Sequence, residues 1–474
     1  MAPKLRPMNT SLSPERTAVR PAPCGPVVHR WWRDVSALAG WSVLLVVVSL
    51  WVSDGGVHDL AGSWDTALTS SGRLLGLIAS ALMLLQIFLM ARVPWVEKAW
   101  GQQNLTRLHG VVGFTSFAAM MGHIVLVTAG YAAADPSRIV PTAVDLVLNY
   151  PGMVLAVLGT AALIMVVVTS MRVARGRLRY ESWHLLHLYA YLGTGLALPH
   201  QLWSGQSFQQ STTATVFWWG LYILCAGTVL VYRIGLPAWT SLRSPIRVIG
   251  VHRESESVVS VTVGGPGVAR LDAHGGQYFQ WRFLDGPGCS RAHPYSLSAT
   301  PDGTTLRFTA AIVGDGSSRL TQLRPGTRVL VEGPYGHIHA GARTQPKTLL
   351  IGAGIGITPM RALIEDLSTS PGDVMVINRA RTRADAVLHD ELVNITHRLG
   401  AGYAVVDGHR IPGRDSWLPV YAARWSDTHV LARLCPDVAD RDVFVCGPPE
   451  WAAAVRRAAS ALGTPPRQIH TENF

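Results

Sequence analysis

The chain has few cysteines and few charged residues for its 474 residues. Its five cysteines show no paired spacing, which excludes a cysteine-bound iron–sulfur cluster, a cysteine zinc site and a disulfide framework. Charged residues make up only 15% of the chain, whereas hydrophobic residues make up 48%. The net charge of +11 could suit nucleic acid, but the basic residues lie mostly beside hydrophobic runs. Membrane topology explains them better, so we expect no nucleic-acid partner.

The hydrophobic residues are concentrated in the first half of the chain. Runs of about 20 apolar residues can cross a bilayer, and they predict six spans, near 34–52, 73–92, 105–129, 151–171, 183–202 and 214–234. Arginine and lysine gather at one set of run ends, whereas the alternate loops carry mostly aspartate. The positive-inside rule then places both termini in the cytoplasm of a multi-pass cell-membrane protein. Residues 1–30 are rich in proline and arginine, which indicates a disordered tail and not a signal peptide.

Four histidines lie inside the predicted spans, where an ionisable side chain is a functional-site hypothesis by default. His109 and His123 are fourteen residues apart, which on an α-helix is a rise of ~21 Å within about 40° of one face. His187 and His200 are thirteen residues apart, a rise of ~19.5 Å. The matched rises predict two haems stacked between two helices, each iron bound by one histidine from either helix.

Two observations qualify the haem hypothesis. Thirteen residues of ideal helix rotate by about 220°, which turns His200 away from the face of His187 unless Pro199 kinks or rewinds the helix. Histidines hydrogen-bonded between helices, or lining a polar cavity, are the structural alternative. His184 would give a rise of ~24 Å to His200, so we interpret it as an interfacial side chain.

After Pro245, short strands separated by Gly, Pro and Asp turns predict a small antiparallel β-barrel. It contains the string "HPYS", in which Tyr295 can stack on a flavin ring, Ser296 can reach the N5 edge and His293 can face the pyrophosphate. The string "GDGSSRL" supplies N–H and hydroxyl donors suited to phosphate. Taken alone, each string is more typical of an ordinary strand or turn.

From Lys347 the pattern becomes that of an α/β nucleotide-binding domain. "TLLIGAGIGITPM" reads as a strand, a glycine-rich turn with Gly352, Gly354 and Gly356, and a helix start that suits a pyrophosphate. The spacing is not G-x-G-x-x-G. Arg379 and Arg381 follow a second strand and suit a 2′-phosphate, with solvated surface arginines as the alternative. A third strand ends in a Cys-Gly-Pro turn.

Together these motifs resemble the NADPH oxidase and ferric reductase superfamily, in which a six-helix haem domain is fused to a ferredoxin–NADP reductase-type module. The resemblance covers nearly everything after the tail and implies a multidomain fold: a haem bundle (31–236), an FAD barrel (243–341) and an α/β Rossmann-like NADP domain (346–474). It implies two haems b, one on His109 with His187 and an outer one on His123 with His200. The FAD site it implies comprises His293, Pro294, Tyr295, Ser296 and Ser317. For NADPH it implies Gly352, Gly354, Gly356, Thr358, Arg379, Arg381, Cys446, Gly447 and Phe474.

The resemblance also implies the chemistry, with Ser296, Cys446 and Phe474 at the hydride-transfer centre and Phe474 covering the flavin until nicotinamide displaces it. The expected enzyme moves electrons from cytosolic NADPH through FAD and two haems to an acceptor on the outer face, either dioxygen or a ferric chelate. Two alternatives stay open: an electron relay to a specific membrane or periplasmic partner protein, and a membrane-anchored cytosolic flavin reductase whose histidines are structural.

Overall fold

Long helices form the first half of the protein, since within lipid each backbone polar group must be bonded inside its own segment. The computed structural model describes residues 31–171, 174, 178, 180–205, 211–243, 245–286, 291–367 and 369–473, so the tail 1–30 and Phe474 lie outside the described residues. The helices are α1 Trp31–Ser53, α2 Gly56–Leu60, α3 Trp64–Leu89, α4 Pro94–Trp100, α5 Gln102–Tyr131, α6 Ile139–Asn149, α7 Met153–Ser170, α8 Tyr180–Ser204, α9 Thr212–Thr228 and α10 Leu236–Arg243.

Five helices are long and apolar enough to cross a membrane. They are Trp31–Ser53, Trp64–Leu89, Asn104–Tyr131, Met153–Ser170 and Thr212–Trp239, the last continuing from α9 through a π-helical segment into α10. The other long helix, α8, has 25 residues but is less apolar because it carries Glu181 and three histidines. Five of the six predicted spans therefore meet this criterion, and the crossing by α8 stays a prediction.

Small residues bring the helices that carry histidines close to their neighbours. α5 packs along α3, and α8 packs along α7. A Cβ on Gly76 of α3 would lie 2.7 Å from Nδ1 of His123, and one on Gly159 of α7 would lie 2.6 Å from the carbonyl oxygen of Gly193 in α8. Such glycine contacts are the usual device for close helix packing in membranes. They fix how near α5 and α8 lie to α3 and α7.

An antiparallel sheet of six strands follows α10, in the order β4-β3-β6-β1-β2-β5. Alternating apolar residues, such as Phe279 and Trp281, point into its core. A bridge between Leu297 and Phe308 joins the region after β4 to β5. The predicted antiparallel strands are confirmed, while closure into a full barrel stays a prediction. The bounds are β1 Ile246–Ser255, β2 Val258–Gly264, β3 Tyr278–Phe283, β4 His293–Ser296, β5 Thr305–Ala311 and β6 Arg328–Tyr335.

The last part of the chain forms a parallel sheet of five strands, in the order β11-β10-β7-β8-β9, flanked by helices. Near-continuous apolar strands such as β10, buried throughout, are typical of parallel sheets covered on both faces. The bounds are β7 Lys347–Ala353, β8 Val374–Ala380, β9 Gly402–Asp407, β10 Arg441–Gly447 and β11 Ile469–Asn473. Helices lie at α11 Thr358–Asp366, α12 His389–Leu399, α13 Asp427–Leu434 and α14 Pro449–Ala461. Ligands of such sheets bind at the carboxyl ends of the strands.

Candidate functional site

The two histidines of α5 are held by backbone carbonyls of α3. Nδ1 of His109 donates to the carbonyl of Gln86 at 3.1 Å, and Nδ1 of His123 donates to the carbonyl of Gly72 at 2.8 Å. Because a carbonyl can only accept, these bonds place the proton on Nδ1 and leave Nε2 with its lone pair. A histidine that binds a metal is fixed in this way by a partner of its other nitrogen.

The histidines of α8 lie opposite those of α5. The ring centres of His109 and His187 are 5.9 Å apart, and those of His123 and His200 are 6.3 Å apart. An imidazole–metal bond is about 2 Å long, so two imidazoles on opposite sides of one iron have ring centres roughly 6 Å apart. The four histidines predicted from sequence therefore come together as two pairs, with a separation that fits a haem iron.

The remaining contacts of these rings differ. Nδ1 of His187 shares a hydrogen bond of 3.2 Å with the hydroxyl of Ser170, which accepts a further bond from the indole of Trp183 at 3.3 Å. Nδ1 of His200 is buried and has no hydrogen-bond partner among the described residues. His184 does not join either pair, and its ring centre lies 6.4 Å from that of Trp183.

The flavin motif forms strand β4, paired antiparallel with β3. The ring of Tyr295 stacks on Phe308 with 4.9 Å between ring centres, and it also stacks with His293 at 6.0 Å. Burial raises the pKa of Tyr295 to about 12, so its hydroxyl stays protonated at neutral pH. Ser296 is only 4% exposed, and its hydroxyl has no hydrogen-bond partner among the described residues. A buried, unpaired hydroxyl at the end of this strand fits the hydrogen-bonding edge of a flavin.

A cleft beside β4 is lined by basic side chains, although the predicted Ser317 is occupied elsewhere. The Ser317 hydroxyl accepts from the backbone N–H of Val313 at 2.9 Å and donates to the carbonyl of Gly314 at 3.0 Å. It therefore shapes its own turn. The cleft is lined by Phe283, Asp285, Arg291, His293, Gly316, Arg319, Leu320 and Leu323. Arg319 is paired with Asp285, and Arg291 and His293 add basic groups that suit a pyrophosphate better than Ser317 does. Pro294 is exposed beside it.

The three glycines after β7 have different surroundings. A Cβ on Gly352 would lie 2.6 Å from Cα of Ile357, and one on Gly356 would lie 2.3 Å from the carbonyl oxygen of Cys446. These two glycines serve close packing of the turn. Gly354 has a φ of +56° and meets no atom within 4 Å of a Cβ position, so its backbone is open to a ligand. Thr358 is buried, and its hydroxyl donates to the carbonyl of Ile355 at 2.9 Å.

The two arginines proposed for the 2′-phosphate are placed differently. Arg379 is 5% exposed, and its guanidinium donates to the carbonyls of Trp417, Val406 and Gly408, and of Ala380. Its side chain thus holds the loop after β9, which sequence spacing cannot reveal. Arg381 is exposed at the carboxyl end of β8. The geometry therefore favours Arg381 and not Arg379 as a phosphate ligand.

Sequence reasoning missed Glu472. Its Oε1 accepts a backbone hydrogen bond from His337 at 2.6 Å, whereas its Oε2 is buried with no partner among the described residues. Burial raises the pKa of Glu472 to about 7. The register pairs Glu472 with Cys446, whose thiol pKa is raised well above its usual value by burial. The signal in the sequence was an acid two residues before Phe474.

Gly447, beside Cys446, packs against Trp451.

Comparison with known proteins agrees with this division of the chain. Residues 75–198 match the family described as ferric reductase like transmembrane component, and residues 350–457 match the oxidoreductase NAD-binding domain. The first match contains His109, His123 and His187 and ends two residues before His200, and the second contains the turn after β7, Arg381 and Cys446.

Individual relatives cover about half of the chain. The chain is 30% identical to the stachydrine N-demethylase reductase subunit of Rhizobium meliloti over 238 residues. This stretch covers 48% of this chain and 66% of that protein. It is 28% identical to a flavohemoprotein of Pseudomonas putida over 243 residues, and this stretch covers 50% of this chain and 60% of that protein. The chain thus spans less than two thirds of either relative. The FAD/NAD-binding domain of a nitric oxide dioxygenase from Vibrio cholerae aligns with 48% of this chain and 98% of its own, at 21% identity and a TM-score of 0.38.

Proposed function

We propose that this chain, in which a ferric reductase-like transmembrane component is joined to an FAD- and NAD-binding oxidoreductase module, carries electrons from cytosolic NADPH across the membrane. The acceptor is a small molecule on the outer face, dioxygen or a ferric chelate. The carriers are FAD and two haems b. The observation that supports this most is the pair of histidine separations, 5.9 and 6.3 Å, on α5 and α8.

The histidines provide two sites at different depths of the bundle. His109 with His187 would hold the cytoplasmic-side haem, and His123 with His200 the outer one. The carbonyls of Gln86 and Gly72 keep Nε2 of His109 and His123 available as ligands. The four histidines would hold haem groups that supply one-electron transfer to an outer acceptor, without the acceptor binding iron.

Bound FAD would accept a hydride from NADPH and pass its electrons on singly. In the protein, Ser296 would donate a hydrogen bond to the flavin edge, since its buried hydroxyl has no other partner among the described residues. Glu472 and Cys446 would line the nicotinamide side, and Gly354 would let a phosphate approach the backbone. Arg381 would bind the 2′-phosphate. The family resemblance implies roles for two further residues. Phe474 would cover the flavin, and Pro294 would belong to the flavin-binding strand β4.

The arrangement in the cell follows the charge distribution. We propose three parts of the chain, at 31–236, 243–341 and 346–474. We also propose that the first part crosses the membrane six times and that both termini are cytoplasmic. The short loop from α3 to α4 touches the antiparallel sheet: the guanidinium of Arg92 lies 4.2 Å from the ring centre of Tyr335. This contact supports an arrangement in which the sheet and the His109–His187 end of the bundle lie on one side of the membrane.

A second candidate is electron supply to a protein partner. It is favoured by relatives named as reductase subunits, such as that of glycine betaine monooxygenase from Chromohalobacter salexigens. One experiment tests both candidates. Purified protein in lipid nanodiscs is given NADPH with dioxygen or ferric citrate, and superoxide, ferrous iron and haem content are measured. Two haems per chain with acceptor reduction support the first candidate. Two haems with no reduction of either acceptor favour the relay, and the absence of haem leaves a membrane-anchored flavin reductase.

A further inference from the structure

The rotation of His200 is a property of α8 that an ideal helix does not explain. Thirteen residues should turn His200 about 220° from His187, yet both rings face α5. Pro199 lies directly before His200 and, lacking an N–H, cannot donate to the carbonyl four residues earlier. The helix can therefore depart from its regular turn here, and other contacts must decide the new direction.

Three contacts hold the backbone around His200, and we call them the His200 clasp. The hydroxyl of Tyr222 in α9 donates to Oε1 of Gln201. The hydroxyl of Ser204 donates to the carbonyl of Pro151 at 2.8 Å. Gly152 has a φ of +80° and lies against this segment so closely that a Cβ would be 2.6 Å from the nitrogen of His200. Of the three, only the Tyr222 contact joins the segment to a helix outside the α7–α8 pair.

His200 needs such a clasp more than the other histidines do. His109, His123 and His187 each have a hydrogen-bond partner at Nδ1. Nδ1 of His200 is buried and has none among the described residues. The direction of its ring therefore depends on its backbone, because no hydrogen bond to the ring fixes it.

We infer that Tyr222 is a positioning residue, which through Gln201 holds His200 so that its imidazole faces His123. The inference rests on the proposed function, since it matters only if these two rings bind a haem. Tyr222 acts through Gln201, because its hydroxyl donates to the side-chain oxygen of Gln201.

The test compares Tyr222→Phe with Tyr191→Phe, which removes a hydroxyl from an exposed ring on α8 itself. Both are made in the full chain and in His109→Leu, where the outer pair is the remaining complete haem site. The measurements are haem per chain and the low-spin electron paramagnetic resonance spectrum. For Tyr222→Phe we expect a shift of the outer-haem g values or loss of that haem, with the cytoplasmic-side haem unchanged. Tyr191→Phe should match its parent.

A second variant separates a positioning role of Tyr222 from the alternative that its hydroxyl only provides a hydrogen bond to the Gln201 side chain. Gln201→Leu with Tyr222→Phe removes both partners, which is often nearly neutral for stability. If Tyr222 positions His200, the outer-haem spectrum stays shifted in the double variant. A wild-type spectrum in Tyr222→Phe, or its full recovery in the double variant, overturns the inference. Both results leave the proposed function intact. Wild-type protein that binds no haem would overturn both the proposed function and this inference.

Discussion

Cys446 and Glu472 are register partners on adjacent parallel strands, at the carboxyl ends of β10 and β11. The thiol is fully buried, and the carboxyl has one bonded and one unpaired oxygen. A buried carboxyl with a pKa near 7 can exchange a proton at physiological pH, and such groups concentrate at functional sites. We propose that this pair lies on the nicotinamide side of the flavin site.

Glu472→Gln should change how stability depends on pH. The folded pKa of about 7 lies above the ordinary value of 4.5, so Glu472 contributes most stability at low pH and loses it as pH rises through 7. The loss is at most roughly 3 kcal/mol. The melting temperature of the wild type should fall relative to that of Glu472→Gln between about pH 5 and pH 8. Glu450→Gln, an exposed site, is the control. A constant difference at every pH contradicts the prediction.

Ser296→Ala should slow flavin reduction by NADPH about tenfold, the effect of one lost hydrogen bond of about 1–1.5 kcal/mol. Stopped-flow absorbance at the flavin band measures it. Ser298→Ala is the matched control, because that buried hydroxyl already accepts bonds from Thr309 at 2.7 Å and Arg307 at 3.2 Å. The control should lower the melting temperature and leave the rate alone. Equal rates in Ser296→Ala and wild type would remove Ser296 from the flavin site.

Arg381→Ala should reduce the preference for NADPH over NADH at least tenfold, since a charged hydrogen bond to phosphate is worth about 1.5–3 kcal/mol. Arg379→Ala should act differently. It leaves four carbonyls without their donor and should lower the melting temperature. The ratio of kcat/KM for the two nucleotides is measured in both variants. A larger change of that ratio in Arg379→Ala than in Arg381→Ala would restore Arg379 as the phosphate ligand.

His123→Leu should remove the outer haem and stop electron transfer across the membrane, while NADPH still reduces the flavin. The reason is that the ring of His123 lies opposite that of His200, with 6.3 Å between ring centres. Pyridine haemochrome analysis gives the haem content per chain. His184→Leu is the control on α8 and should keep the full content. Two haems per chain in His123→Leu would disprove the ligand assignment.

Arg92→Met should slow electron transfer from flavin to haem without slowing flavin reduction. Its guanidinium pairs with Glu97 at 3.2 Å and lies over Tyr335, so it connects the bundle to the antiparallel sheet. Arg33→Met removes a similar contact, 4.6 Å from the ring of Trp100, within the bundle alone. Stopped-flow records of flavin and haem bands separate the two steps. Equal haem reduction rates in the two variants would refute a role for Arg92 between the halves.

Much of the fold follows from local patterns in the sequence. Apolar runs about 20 residues long must form helices in lipid, and five of the six predicted runs appear as helices that meet the criterion. Alternating and continuous apolar strands likewise predicted the antiparallel and parallel sheets. The similar rise of His109–His123 and His187–His200 is also a local property, and it selected the four histidines that the structure pairs.

The tertiary structure decided what depends on contacts between distant segments. Rotation about α8 could not be read from spacing, because Pro199 interrupts the regular turn and Tyr222, twenty-one residues after Gln201, touches the segment from another helix. Arg379 and Arg381 look equivalent in sequence, but Arg379 lies within β8 and is covered by the segment after β9, whereas Arg381 follows the end of the strand and is exposed. Glu472 became a site residue only because parallel pairing of β10 with β11 sets it beside Cys446. Sequence thus determined which groups are present and in which elements, and packing determined which of them meet.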